Sequence, residues 1–256
     1  MLRKRIIFTL IYDSGFFNQS RNFRLQKVGN IKWLEKNYKF NEIAFSLDEL
    51  IVLNASKENK NMLEFANNLT KLVHNVFIPV AAGGGIRTLE DAKLLFDSGA
   101  DKIVLNTVLF TNTNLVKDLV KLYGSQSIIA SIDYKKINDK NRVFVKNGTD
   151  ELDIDLSEYI NKVISLEIGE IYLNSINRDG TGFGYDLDIM EGISKNINIP
   201  VIIAGGAGNE EHLAQGLKIE TVSAVATANL FNFIGDGLTK AKKILIQSNF
   251  NVTQWR

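Results

Sequence analysis

Cysteine does not occur in the 256 residues, which excludes disulfides and thiolate-held metals. Histidine is almost as scarce: only His74 and His212 occur, far apart along the chain. No histidine-rich metal centre is expected, nor any other cofactor, and acid–base work falls mainly to carboxylates. Neither sign of charge dominates, with 30 basic and 29 acidic residues and a net charge of +1. That balance creates no global field toward nucleic acid or an anionic membrane, so neither is expected as a partner. Long apolar runs are also missing. The first, Ile6 to Tyr12, is broken by Asp13 and is too short for a signal peptide or a membrane span. A soluble, cytoplasmic protein is the expectation.

What the chain does have is apolar content (45%), enough for a large core. Short runs rich in Val and Ile recur at Arg5–Leu10, Glu49–Asn54, Ile78–Ala82, Lys102–Asn106, Ser127–Asp133, Glu170–Asn174, Ile199–Ala204 and Thr221–Thr227. Several lack polar alternation, as strands buried on both faces do. Helical patterns such as Leu89–Phe96 and Ser157–Ile164 lie between them. Thr88 reads as an N-cap before the first of these, and Gly99 as its stop. Strand alternating with helix predicts an α/β fold, a (βα)8 TIM barrel forming one domain over residues 1–256. An open doubly wound sheet is the rival.

Proline, too, is rare, and its placement favours the barrel. The only two prolines both stand in Ile-Pro-Val, at positions 79 and 200, an offset of 121 (200 − 79). The same shift carries Gly84-Gly85 onto Gly205-Gly206 and Asn106-Thr107 onto Thr227-Ala228. Two half-barrels in one chain account for this repeat. The polar stretches Asp13–Asn30 and Lys135–Asp153 follow the first and fifth strands, the second as a long loop or small hairpin. Both fall on the face where barrel active sites form.

Four groups of residues are candidates for chemistry. The glycines of Gly83-Gly84-Gly85 and Gly205-Gly206 sit at strand-to-helix junctions, where free N–H groups and a helix N-terminus can hold an anion. Tight turns without a ligand would look the same. Two such junctions suit a ligand with two phosphates. Asn174–Thr181 is a dense polar segment after the sixth strand, with Asp179-Gly180 poised at the mouth. Asp133 ends an apolar strand and is either an acid or base in the mouth or the cap of the next turn. Arg5, Glu49, Lys102 and Glu170 stand at strand starts, either as solvated flanking charges or as a ring in the barrel floor.

Taken together, these motifs resemble the cyclase subunit of imidazole glycerol phosphate synthase. The likeness runs along nearly the whole chain, through Asp48-Glu49-Leu50, Gly83-Gly84-Gly85-Ile86, Gly99-Ala100-Asp101-Lys102, Gly124-Ser125-Gln126, Arg178-Asp179-Gly180-Thr181 and Gly205-Gly206-Ala207-Gly208. It implies a half-repeated barrel that takes ammonia from a glutamine amidotransferase docked at its N-terminal face. The ammonia then reacts with a phosphorylated small molecule at the other face. It further implies one phosphate site at Gly85, Asn106 and Thr107. A second comprises Asp179, Gly180, Gly206, Ala228 and Asn229, the last in place of the family's serine. Arg5, Glu49, Lys102 and Glu170 become the ammonia gate, Asp101 part of the partner interface, and Asp133 a catalytic residue.

The departures are specific. The family's first catalytic aspartate falls on Ile11, which cannot move a proton. Asp13, two residues on, lies about 6–7 Å further along a strand. A family lysine falls on Gln19 and a strand-two aspartate on Asn54. A branch of cyclase-like proteins that accompany amidation of bacterial surface sugars fits these changes, and Arg21–Gly29 and Leu173–Thr181 look like that branch. An ammonia-using synthase or lyase subunit serving sugar amidation is therefore the leading expectation. A histidine-pathway cyclase and a non-catalytic scaffold for the glutaminase are the alternatives.

Overall fold

The structure, a computed structural model, describes residues 3–38, 46–57, 60–74, 76–193 and 197–254. The first half of the chain runs β1 (Arg5–Asp13), β2 (Phe16–Arg21), β3 (Arg24–Gly29), α1 (Ile31–Tyr38), β4 (Glu49–Asn54), α2 (Met62–Val73), β5 (Val80–Gly83), α3 (Leu89–Asp97), β6 (Lys102–Leu105), α4 (Val108–Thr111) and α5 (Thr113–Tyr123). The second half runs β7 (Ile128–Ile137), β8 (Lys140–Val145), β9 (Asp150–Asp155), α6 (Leu156–Ile164), β10 (Glu170–Ser175), α7 (Asp188–Ile193), β11 (Val201–Ala204), α8 (Glu210–Lys218), β12 (Val222–Thr227) and α9 (Gly237–Gln247).

Eight of the strands, β1, β4, β5, β6, β7, β10, β11 and β12, are parallel and close on themselves, because β1 pairs with both β4 and β12 and β10 with both β7 and β11. This is the (βα)8 barrel, and closure removes the open sheet. The period of two explains the continuous apolar runs. Along β1, Ile6, Phe8 and Leu10 point outward into the layer beneath the helices, while Ile7 joins Ile51, Ala81, Val104, Ile129, Tyr172 and Ile202 inside the barrel. Both faces are apolar at mid-height, so no alternation appears in the sequence.

The 121-residue repeat is structural. β5 and β11 cover residues 80–83 and 201–204, and α3 and α8 cover 89–97 and 210–218, both pairs at the offset of 121 (201 − 80, 210 − 89). Each proline precedes its strand, where a missing N–H costs nothing, and lends its carbonyl to the neighbour: Leu50 N–H to Pro79 O at 2.9 Å, and Ile171 N–H to Pro200 O at 3.0 Å. Thr88 caps α3 in a capping box with Asp91, and Asn209 caps α8 at the equivalent position. Such caps contribute about 1 kcal/mol each. Gly99 stops α3 with a left-handed φ of +97°.

Both polar insertions are antiparallel strands rather than loops. β1 extends to Asp13 and turns into the β2–β3 hairpin; β7 extends to Ile137 and turns into β8 and β9. Lys135–Asp153 is thus a three-stranded extension, larger than the loop or small hairpin expected. The two insertions touch: a side chain on Gly148, in the β8–β9 turn, would meet the Phe23 ring at 2.7 Å. No helix among the described residues is long and apolar enough to cross a membrane.

Candidate functional site

The C-terminal ends of the barrel strands enclose a cavity of about 820 Å³ beneath the two insertions. That size suits a ligand larger than a simple sugar phosphate. Gly85, Asn106, Thr107, Asp133, Asp179, Gly180, Gly206, Ala228 and Asn229 all line it. The two glycine junctions and the strand-end carboxylate thus share one space. Gly84, Gly85, Gly205 and Gly206 all adopt left-handed φ, between +89° and +106°, which only glycine takes without strain.

Asp133 is the central acid. It is buried on β7, and both carboxylate oxygens receive neutral amide donors: Asn174 Nδ2 to Oδ1 and Asn106 Nδ2 to Oδ2, each at 3.0 Å. Asn174 is its direct neighbour across the β7–β10 ladder. Burial pushes the Asp133 carboxyl up to about 7, and the charge of Asp179 adds to this against the pull of the two amides. A carboxyl there can give or take a proton at neutral pH.

Several of these residues also carry hydrogen bonds within the protein. Asn106 gives its amide hydrogens to Asp133 and to the Ser131 carbonyl (2.9 Å), and so orients the acid. Asp179 accepts from Ser20 Oγ at 2.5 Å and from the Phe23 N–H at 2.9 Å, fastening the β2–β3 turn over the cavity. Burial raises its pKa against these two donors. Asn229 Oδ1 caps its own turn through the N–H groups of Phe231 (3.2 Å) and Asn232 (3.0 Å), leaving Nδ2 for other partners. Thr107 Oγ1 accepts from the Lys146 N–H at 3.2 Å, which ties the β8–β9 turn to the rim.

The departures seen in the sequence also take positions. Ile11 lines the cavity, whereas Asp13 does not and bonds Ser14 Oγ at 2.8 Å. Asp13 therefore does not replace the missing carboxylate. Gln19 Oε1 accepts from the Leu230 N–H at 2.8 Å, joining the first hairpin to the loop after β12. Asn54 Nδ2 is buried without a hydrogen-bond partner. Neither histidine lines the cavity: His74 caps α2, and His212 Nδ1 accepts from the Gly208 N–H. Thr9 and Tyr172 share a hydroxyl contact of 3.1 Å across the barrel, a pair the sequence reading missed because both lie inside apolar runs.

At the opposite end, the four strand-start charges form one ring. Arg5 binds Glu49 at 2.8 Å and also Glu170; Lys102 binds Glu49 at 3.0 Å and Glu170 at 3.4 Å. The reading of solvated flanking charges is thereby removed. Both carboxylates are buried, while the two cations keep partial exposure toward the N-terminal face. Burial raises the Glu49 carboxyl, opposed by Lys102 and Arg5. Asp101 is exposed on the same face and accepts the Val80 N–H at 2.8 Å.

These features define a ligand-binding (βα)8 barrel with its site at the C-terminal strand ends and a charged ring closing its floor. A family model described as "Histidine biosynthesis protein" matches residues 25–235. The chain belongs to that family. Similar proteins include "Putative imidazole glycerol phosphate synthase subunit hisF2" of Parasynechococcus marenigrum, 44% identical over 95% of this chain and 90% of that one. "Imidazole glycerol phosphate synthase subunit HisF" of Chlorobium phaeobacteroides is 38% identical over 96% of each chain. The protein of the same name from Clostridium botulinum (strain 657 / Type Ba4) is 34% identical over 98% of this chain and 99% of its own.

Proposed function

We propose that the chain is the ammonia-using subunit of a synthase of the imidazole glycerol phosphate type. A glutamine amidotransferase docks at the N-terminal face, around Asp101. Ammonia enters through Arg5, Glu49, Lys102 and Glu170 and reaches a phosphorylated substrate in the cavity. The substrate's anionic ends rest on the Gly85–Thr107 side and on the Gly180–Gly206–Ala228 side. The observation that carries this reading is Asp133. Its carboxyl titrates near 7 in the cavity that both glycine junctions share, held by two amides. Its carboxylate takes the proton that the attacking nitrogen must lose, and the resulting acid returns it to a leaving group.

The acceptor is a bisphosphorylated precursor of imidazole glycerol phosphate, the compound in the relatives' names, in histidine biosynthesis. The relatives' names favour it over the sugar amidation expected from the sequence. One observation keeps amidation as a second reading: Ile11 stands where a two-carboxylate cyclase needs the partner of Asp133, and Asp13 does not fill the gap.

Purified protein given ammonium and the bisphosphorylated precursor separates these. Turnover, reduced at least about 100-fold in Asp133→Asn, supports the cyclase. No turnover in the natural chain together with recovery in Ile11→Asp transfers the site to the second reading. No turnover in either the natural chain or Ile11→Asp, with the glutaminase still activated by the chain, would leave only a scaffold.

A further inference from the structure

Beside the Gly85 junction the cavity continues into a recess of about 400 Å³, lined by Lys57, Lys60, Met62, Gly85, Arg87 and Asp91. Lys57, Lys60, Gly85 and Arg87 line both spaces, so the recess opens from the site itself. None of the three cations has an ion-pair partner among the described residues. The one acid among the described lining residues does not neutralise them. Asp91 turns its carboxylate to the backbone N–H groups of Arg87 (2.8 Å) and Thr88 (3.0 Å), where it caps α3.

Lys60 is held there by packing. Its stem crosses Gly85 so closely that a Cβ on the glycine would lie 2.9 Å from Lys60 Cδ, and its Nζ donates to the Asn54 carbonyl at 3.3 Å. Burial first, and then the charge of Arg87, lower the proton affinity of its amine. Like charges gathered in a recess attract an anion, and no described residue supplies a counter-ion here. A monophosphate on the Gly85 junction brings about two negative charges. A diphosphate spreads its charge over two neighbouring groups and suits three cations better. Arginine offers a planar fork to the second group and lysine a point charge.

We propose that this recess is a subsite for a second phosphoryl group, adjoining the one at the Gly85 junction, so that this side of the cavity accepts a diphosphate ester in preference to a monophosphate. The proposal rests on the functional reading above for the first phosphate at Gly85. It separates a diphosphate-bearing acceptor from one with isolated monophosphates, and so bears on the choice between acceptors.

Calorimetric titration of the full-length protein with orthophosphate, pyrophosphate and uridine diphosphate at fixed ionic strength tests it. Pyrophosphate and uridine diphosphate are expected to bind at least about tenfold tighter than orthophosphate. The double variant Lys60→Gln, Arg87→Gln is expected to erase that preference with its melting temperature unchanged. Should the double variant melt early, Arg87→Gln alone, at an exposed position, is expected to cut the preference severalfold. With pyrophosphate preferred over orthophosphate, uridine diphosphate as tight as pyrophosphate supports a diphosphate ester there, and uridine diphosphate no tighter than orthophosphate overturns it. Equal binding of orthophosphate and pyrophosphate by the natural chain, or an undiminished preference in a folded variant, overturns it. The titration needs neither ammonia nor a glutaminase. Its failure removes the subsite alone, whereas absent ammonia-dependent turnover with the preference intact removes the functional reading alone.

Discussion

Replacing Asp133 by Asn should stabilise the protein above neutral pH while destroying its activity. The carboxyl rises from 3.8 to about 7, chiefly through burial, so the folded state holds the proton more tightly than the unfolded chain. Between about pH 4 and 7 the unfolded chain ionises first, and this residue's contribution to stability falls as pH rises, levelling off above about 7. At about 1.4 kcal/mol per pH unit the loss amounts to about 4 kcal/mol. Asparagine keeps the shape, cannot ionise, and gives up one acceptor for the two amides of Asn106 and Asn174, at about 1 kcal/mol. The variant is therefore slightly less stable than the natural chain near pH 4 and more stable by a few kcal/mol at pH 8. Urea unfolding of both proteins from pH 4 to 8 measures the difference, in which other titrating groups largely cancel. A stability difference that stays flat across that range refutes the burial argument. The same argument gives the natural enzyme an activity limb centred near pH 7.

Three further outcomes follow from other parts of the fold. Lys242→Met leaves the buried Asp48 carboxylate without its ion pair (2.9 Å) and with the Ile6 N–H as its remaining donor, so a loss of about 3–5 kcal/mol is expected in chemical denaturation. Gly180→Ala forces a side chain into the Ser20 carbonyl at a φ of +68°. Hydrogen exchange should then quicken across β2 and β3 while the barrel strands keep their protection. Arg5→Ala leaves Glu49 and Glu170 to share Lys102. Because Arg5 is partly exposed, a loss of about 2–3 kcal/mol is expected in thermal or urea unfolding.

Much of the barrel was legible because its strands are covered on both faces. Uniform Val and Ile runs can mean little else when helices of regular spacing separate them, and the paired Ile-Pro-Val units marked the half-repeat. The insertions were harder to read. The apolar run Val143–Val145 announced a hairpin strand at β8, but Asn18, Ser20 and the mostly polar Lys135–Asn141 gave little sign of β2, β3 or the extension of β7. Their strands form because they extend the barrel's own ladders beyond the core. Asp133 could be singled out by its place at the end of an apolar strand, but its partners could not: Asn174 meets it across a ladder and Asn106 from the next junction, 41 and 27 residues away. Lys60 and Arg87 left no signal, since isolated cations near a turn are ordinary surface residues until the fold gathers them.

The sequence by itself determined the fold class, the two glycine junctions, the strand-end acid and the absence of cysteine chemistry, because these depend on residue type and spacing. It also showed that Ile11 stands where an acid was expected. Only the tertiary structure decided which charges meet. It joined Arg5, Glu49, Lys102 and Glu170 into one ring, turned an Asn106 amide hydrogen toward Asp133, and tied Asp179 to the β2–β3 turn. The reason is physical: burial and neighbouring charge set the ionisation and the free donors of a side chain, and both come from residues distant in the chain.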